Sequence, residues 1–121
     1  MGASGKTVLV VDDEFSIVET LTEILAWEGF RVRSASNGRQ ALEALRAERP
    51  DVILLDVMMP VMDGHQLLEA MQADGLKDVP VVLMSAAPIR PGPRGPLWKV
   101  ELRKPFDVDQ LMAAIRSVLG P

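Results

Sequence analysis

The sequence predicts a doubly wound α/β fold, a five-stranded parallel sheet with helices on both faces. Three observations carry that expectation. Short apolar runs alternate with segments of helical periodicity along the whole chain. Three of the runs, TVLVV, DVILLD and VPVVLMS, are almost continuously apolar, as strands covered on both faces must be. The residues that end the runs are acids, a hydroxyl and a lysine, all at the carboxyl ends, where sites form in such sheets.

Residues 7–11, TVLVV, form the first strand and stop at Asp12 and Asp13. Ile17, Val18, Leu21, Ile24 and Leu25 then recur at helical spacing, with Gly29 as the stop. Phe30 to Ala35 reads as an edge strand with one wet face, Phe, Val and Ala against Arg, Arg and Ser. Asn37 caps a second helix, with Gln40 three residues on, and Ala41, Leu42 and Leu45 face inward until Pro50. DVILLD, residues 51–56, repeats the first strand and again ends in an aspartate. A third helix starts at Asp63, with Gln66 at the capping-box offset and Leu67, Leu68 and Met71 as its stripe. The fourth strand, residues 79–85, ends in Ser85. After a proline-rich stretch comes WKVELRKPF, then Asp107 as cap of a last helix carrying Val108, Leu111, Met112, Ile115, Val118 and Leu119.

Composition narrows the function. At 121 residues, 48% of them apolar, the chain builds one core rather than two. It has no cysteine, which excludes disulfides, thiolate metal sites and a cysteine nucleophile and fits a reducing cytoplasm. The N-terminus turns acidic after a short apolar run, so neither a signal peptide nor a membrane span is expected. Net charge is −4 and the basic residues are scattered, which argues against direct nucleic-acid contact.

Asp12, Asp13 and Asp56 stand at the carboxyl ends of two strands. Any one of them could end a strand simply because strand ends are wet. Two strands ending in acids, beside strands ending in Ser85 and Lys104, make that account poor for the set. If the strands are neighbours, three negative charges crowd together and need a cation. Oxygen-only ligands select a hard divalent ion, Mg²⁺ with Mn²⁺ as the alternative. Acidic ligands, one ammonium and one hydroxyl suit phosphoryl transfer, with a carboxylate as nucleophile. Asp56 is the candidate nucleophile because it lies between the other groups; a metal-ligand role alone is its alternative.

VLVVDDE, LLDVMMPVMDG, VVLMSA and KPF, in that order and at compatible spacing, resemble the receiver domain of two-component response regulators over about residues 6–119. The resemblance implies a flavodoxin-like strand order, 2-1-3-4-5, a disordered tail over 1–5 and a receiver domain over 6–121. It implies that Asp56 accepts a phosphoryl group from the phosphohistidine of a sensor histidine kinase or histidine phosphotransfer protein. Asp13, Asp56 and the Met58 backbone carbonyl would bind Mg²⁺, Asp12 would act mainly through metal-bound water, and Ser85 and Lys104 would hold the phosphoryl group. The Lys104–Pro105 peptide is expected to be cis. Slow self-dephosphorylation is implied, without enzymatic activity on other substrates.

Other motifs carry less. GASGKT has two residues where a Walker loop needs four between its glycines, and it precedes a strand instead of following one. His65, the only histidine, lies outside the acid cluster and reads as a solvated surface residue, so the phosphohistidine belongs to a partner. Met58, Met59 and Met62 read as loop filling. A dehalogenase-type phosphatase would place a second aspartate where Met58 stands.

The largest departure is residues 86–98, AAPIRPGPRGPLW, where receivers carry their fourth helix. Prolines 88, 91, 93 and 96, at roughly 3 kcal/mol each in a helix interior, exclude one, and polyproline or turn structure is expected. Twelve extended residues at ~3.1 Å each span about 37 Å, enough to run back along a strand of ~17–20 Å. Trp98, Val100 and Leu102 alternate with Lys99, Glu101 and Arg103, so the charged face of the fifth strand should meet water. The resemblance puts a Tyr or Phe that reports phosphorylation three residues before the Lys, and Glu101 stands there. Glu101 and Trp98 therefore mark an atypical output surface for an unknown partner. The alternative is a constitutive interaction module indifferent to phosphorylation. With part of the usual pairing face remodelled, a monomer or a non-standard dimer is expected.

Overall fold

The alternating pattern is realised in a computed structural model that describes residues 5–93 and 95–120. Of the tail expected to be disordered, residues 1–4 lie outside the described residues. The elements in order are β1 Thr7–Val11, α1 Phe15–Trp27, β2 Arg31–Ala35, α2 Gly38–Ala47, β3 Val52–Asp56, α3 Gly64–Ala73, β4 Val81–Ser85, β5 Val100–Arg103 and α4 Val108–Leu119. Every strand pairing is parallel and the sheet order is β2-β1-β3-β4-β5.

The continuously apolar runs become the three inner strands, buried at every position. Alternate residues feed two cores. Leu9, Ile53, Leu55 and Leu83 face the cluster under α2 and α3, while Val10, Leu54, Val82 and Met84 face the cluster under α1 and α4. Each such side chain contributes ~1.5–3 kcal/mol by leaving water. The helices begin where their side chains satisfy the first free N–H groups. Asp63 and Asp107 form capping boxes with Gln66 and Gln110, and Asn37 accepts from the Gln40 N–H. Gln40 itself accepts from Ser36.

Two faces differ from the expected alternation. Val32 joins the α1/α4 cluster and Ala35 the α2/α3 cluster. Residues an odd number apart on a strand cannot share a face. Likewise Val100 and Leu102 face α1 and α4, whereas Trp98 packs on the α2/α3 side with Ile89 and Leu97. Trp98 precedes β5 in a bend, so the alternation does not extend back to it. Glu101 and Arg103 are exposed as expected, 3.6 Å apart as an ion pair.

No helix occurs among the described residues between β4 and β5. In its place is a crossover with a turn in which the Gly95 N–H donates to the Gly92 carbonyl at 2.9 Å and Gly95 takes φ +78°. The crossover rejoins the sheet where the Lys99 N–H donates to the Val81 carbonyl at 2.8 Å. No helix among the described residues is long and apolar enough to cross a membrane.

Leu54, wholly buried at the centre of β3, should leave a cavity when shortened. Leu54→Ala is expected to lower the unfolding free energy by about 2–5 kcal/mol, measured by urea denaturation.

Candidate functional site

Parallel pairing brings the strand ends together. Val11 is opposite Leu55, so Asp12 and Asp13 emerge from β1 beside Asp56, the last residue of β3. One carboxylate oxygen from each of the three lies within 4.8 Å of the others. Lys104 arrives from the far side of β4, where its N–H donates to the Ser85 carbonyl at 2.7 Å. Its ammonium donates to Asp56 Oδ1 at 3.0 Å and stands 3.6 Å from Asp12 Oδ2. The Lys104–Pro105 peptide is cis.

The Asp12 carboxylate is fully buried. Its Oδ1 accepts from the Glu14 N–H at 2.9 Å, but Oδ2 is buried with no hydrogen-bond partner. A buried carboxyl oxygen without a hydrogen-bond partner is costly. The orphaned oxygen and the all-oxygen donor set fit a hard divalent cation.

Burial pushes the Asp56 carboxyl above its ordinary value; the Lys104 hydrogen bond opposes this, and the charges of Asp12 and Asp13 add to it. Burial also works against the Lys104 ammonium, but Asp56, Asp12 and Glu14 together outweigh it and hold its pKa above the usual lysine value. The two directions agree physically. One cation among several acids keeps its proton firmly, and a carboxylate in surplus is pushed towards taking one.

The loop after Asp56 is tied down by close backbone approaches. The Gly64 N–H donates to the Val57 carbonyl at 2.9 Å, and a Cβ at Gly64 would lie 2.8 Å from the Asp56 carbonyl oxygen. The Gly38 N–H donates to the Met62 carbonyl at 2.9 Å, and a Cβ there would meet the Met62 side chain at 2.6 Å. Between them Val61 takes φ +70° in a tight turn closed by the Met62 N–H on the Pro60 carbonyl at 2.7 Å. A β-branched residue in that region is strained.

Of the residues singled out in the sequence, Asp12, Asp13, Asp56 and Lys104 are brought into contact range. Ser85 is at the same rim and buried, but its hydroxyl donates to the Ala87 carbonyl in the crossover. Met58 stands in the loop and is 77% exposed, while Met59 and Met62 fill space against the α2/α3 core. Glu101 is on the water-facing side of β5, and Trp98 is half-buried beside α3. Sequence reading missed Glu14, whose charge bears on Lys104, and Gly64, whose lack of a side chain lets α3 start against Asp56. It also set aside His65, which is exposed but meets Trp98 edge-on with ring centroids 6.3 Å apart. The glycine after Asp63 was a readable signal; the ring contact was not, because it joins residues far apart in the chain.

Comparison with known proteins gives a consistent result. The family described as response regulator receiver domain matches residues 8–91 and stops inside the proline-rich crossover. Sporulation initiation phosphotransferase F of Bacillus subtilis is 33% identical over 93% of this chain and 92% of its own length. Response regulator MprA of Mycolicibacterium vanbaalenii is also 33% identical over 93% of this chain, which spans only 49% of that relative. Among solved structures, a chemotaxis response regulator of Vibrio cholerae is similar with TM-score 0.83 and 30% identity, covering 94% of this chain and 98% of its own. The receiver domain of a sensor histidine kinase from Pseudomonas aeruginosa, with a magnesium ion coordinated in its active-site cleft, gives TM-score 0.86 and 25% identity over 98% of this chain and 100% of its own.

Two outcomes follow from the site's energetics. Val61→Gly removes a positive-φ penalty of about 1–2 kcal/mol against roughly 0.5–1 kcal/mol of added chain entropy, so urea denaturation should find the variant more stable by up to about 1.5 kcal/mol. A carboxyl whose pKa is raised by folding adds stability below its unfolded value near 3.8, and that stability is lost as pH rises through the folded value. Asp56→Asn should therefore raise the melting temperature of the metal-free protein at pH 7. The gain should shrink as the pH is lowered towards 4.

Proposed function

The chain belongs to the response regulator receiver domain family, and on that premise we propose that residues 6–121 act as the phosphoacceptor of a two-component phosphorelay. Receiver domains are signalling phosphoacceptors, not enzymes acting on other substrates. In this chain the acceptor is Asp56, fed by the phosphohistidine of a sensor histidine kinase or a histidine phosphotransfer protein in the cytoplasm. The supporting observation is the placing of the Asp56 carboxylate, with the Lys104 ammonium at 3.0 Å and oxygens of Asp12 and Asp13 within 4.8 Å.

The roles follow from the chemistry of each group. An Asp56 oxygen attacks phosphorus, the N–P bond to the partner's imidazole breaks, and the imidazole leaves with the bonding electrons. Asp12, Asp13, Asp56 and the Met58 carbonyl would hold Mg²⁺, which when bound supplies positive charge against the acids and the phosphoryl oxygens. Lys104 moves its ion pair from the carboxylate to the phosphoryl group. Ser85 exchanges the Ala87 carbonyl for a phosphoryl oxygen, its hydroxyl being two residues from its present acceptor. Slow hydrolysis of the acyl phosphate then limits the signal.

Glu101 favours a second reading. An exposed acid stands where a ring would report the phosphorylated state, as expected of a module that binds its partner in either state. Beryllofluoride separates the two, since equal partner affinity with and without it supports constitutive binding, and a shift of ~1 kcal/mol or more supports switching.

Acetyl phosphate should label the protein at Asp56 only with Mg²⁺ present, and Asp56→Asn should abolish labelling, read by intact mass and peptide mapping. Labelling that survives the substitution would refute the assignment.

A further inference from the structure

We propose that His65 and Trp98 form the relay by which the state of Asp56 reaches the proline-rich crossover. The inference rests on the phosphoacceptor reading and adds to it the route of the signal. The relay begins in backbone. Gly64 opens α3 directly against Asp56, with its N–H on the Val57 carbonyl at 2.9 Å and room for no side chain, since a Cβ would stand 2.8 Å from the Asp56 carbonyl oxygen and 3.0 Å from the Val57 Cα. A shift of the Asp56–Val57 backbone is therefore passed to the start of α3 without a flexible side chain to absorb it.

His65 is the next residue. Its ring meets Trp98 at 6.3 Å between centroids and 67° between planes, the edge-to-face arrangement that aromatic rings prefer. Trp98 in turn is the crossover's large anchor, half-buried against the α2/α3 core with Ile89 and Leu97. Beyond it only Lys99 bonds to the Val81 carbonyl before β5 begins. The described residues of the crossover form no helix, so these apolar contacts help seat it on the body, and the His65 ring joins that seat to the helix whose first residue abuts Asp56. Position 101, exposed and ion-paired to Arg103, makes no ring contact of this kind.

The chain has two tryptophans, and Trp27 is 89% exposed, so Trp27→Phe leaves Trp98 as the only indole at little cost to the fold. In that background, Mg²⁺ with beryllofluoride should change the Trp98 emission. His65→Ala should reduce the change at least fivefold, and His65→Phe, which keeps a ring, should restore it. Occupancy at Asp56 is followed separately by the fluorine resonance of bound beryllofluoride. A full response in His65→Ala, or no response in the Trp27→Phe protein at full occupancy, overturns the relay alone. No occupancy in the Trp27→Phe protein, or in the unsubstituted chain, overturns the phosphoacceptor reading and the relay with it.

Discussion

Three carboxylates share one ammonium at the carboxyl rim of the sheet, and the imbalance governs the site. Lys104 bonds to Asp56 and stands near Asp12, yet one Asp12 oxygen remains buried without a donor. Burial strengthens every charge interaction there, favourable and unfavourable alike. The arrangement is held because two buried cores fix the strands from both sides, leaving the rim no freedom to spread its charges apart. On the proposed function, a divalent cation would supply the positive charge that this cluster lacks and so allow a phosphoryl group to be held beside its acids.

The crossover is the second determinant. Four prolines deny it a helix, and the chain instead turns at Gly92–Gly95 and returns to the sheet at Lys99. This leaves the Glu101 and Arg103 face of β5 in water and passes to Trp98 the covering role that a helix would have on the α2/α3 side. Both ends of the crossover belong to the site. Ser85 precedes it and Lys104 lies one short strand beyond it, joined by the Lys104 N–H on the Ser85 carbonyl. A segment with the composition of a linker thus runs between two neighbouring strands of one sheet, and the family match over residues 8–91 ends inside it.

Much of this was legible in the sequence. Apolar runs alternating with segments of helical period implied a parallel sheet covered on both faces, and with it that Asp12, Asp13, Asp56, Ser85 and Lys104 stand at one rim. Asp63 and Asp107 announced their helices through side chains that bond within a few residues, and the prolines excluded the fourth helix in the same local way. The Trp98 and Ala35 faces were misread where an alternation was carried across a bend or an odd spacing.

What the sequence by itself determined is whatever depends on short range: the elements, their caps, the missing helix and the kinds of residue at the strand ends. Only the tertiary structure decided which of those residues touch. The orphaned Asp12 oxygen, the Ser85 hydroxyl turned to Ala87, the Gly64 backbone pressed on Asp56 and the His65 ring against Trp98 join separate segments or depend on how the chain turns in space. Spacing along a chain fixes period and reach, but distances between strands and the directions of rings follow from how two cores pack across one twisted sheet.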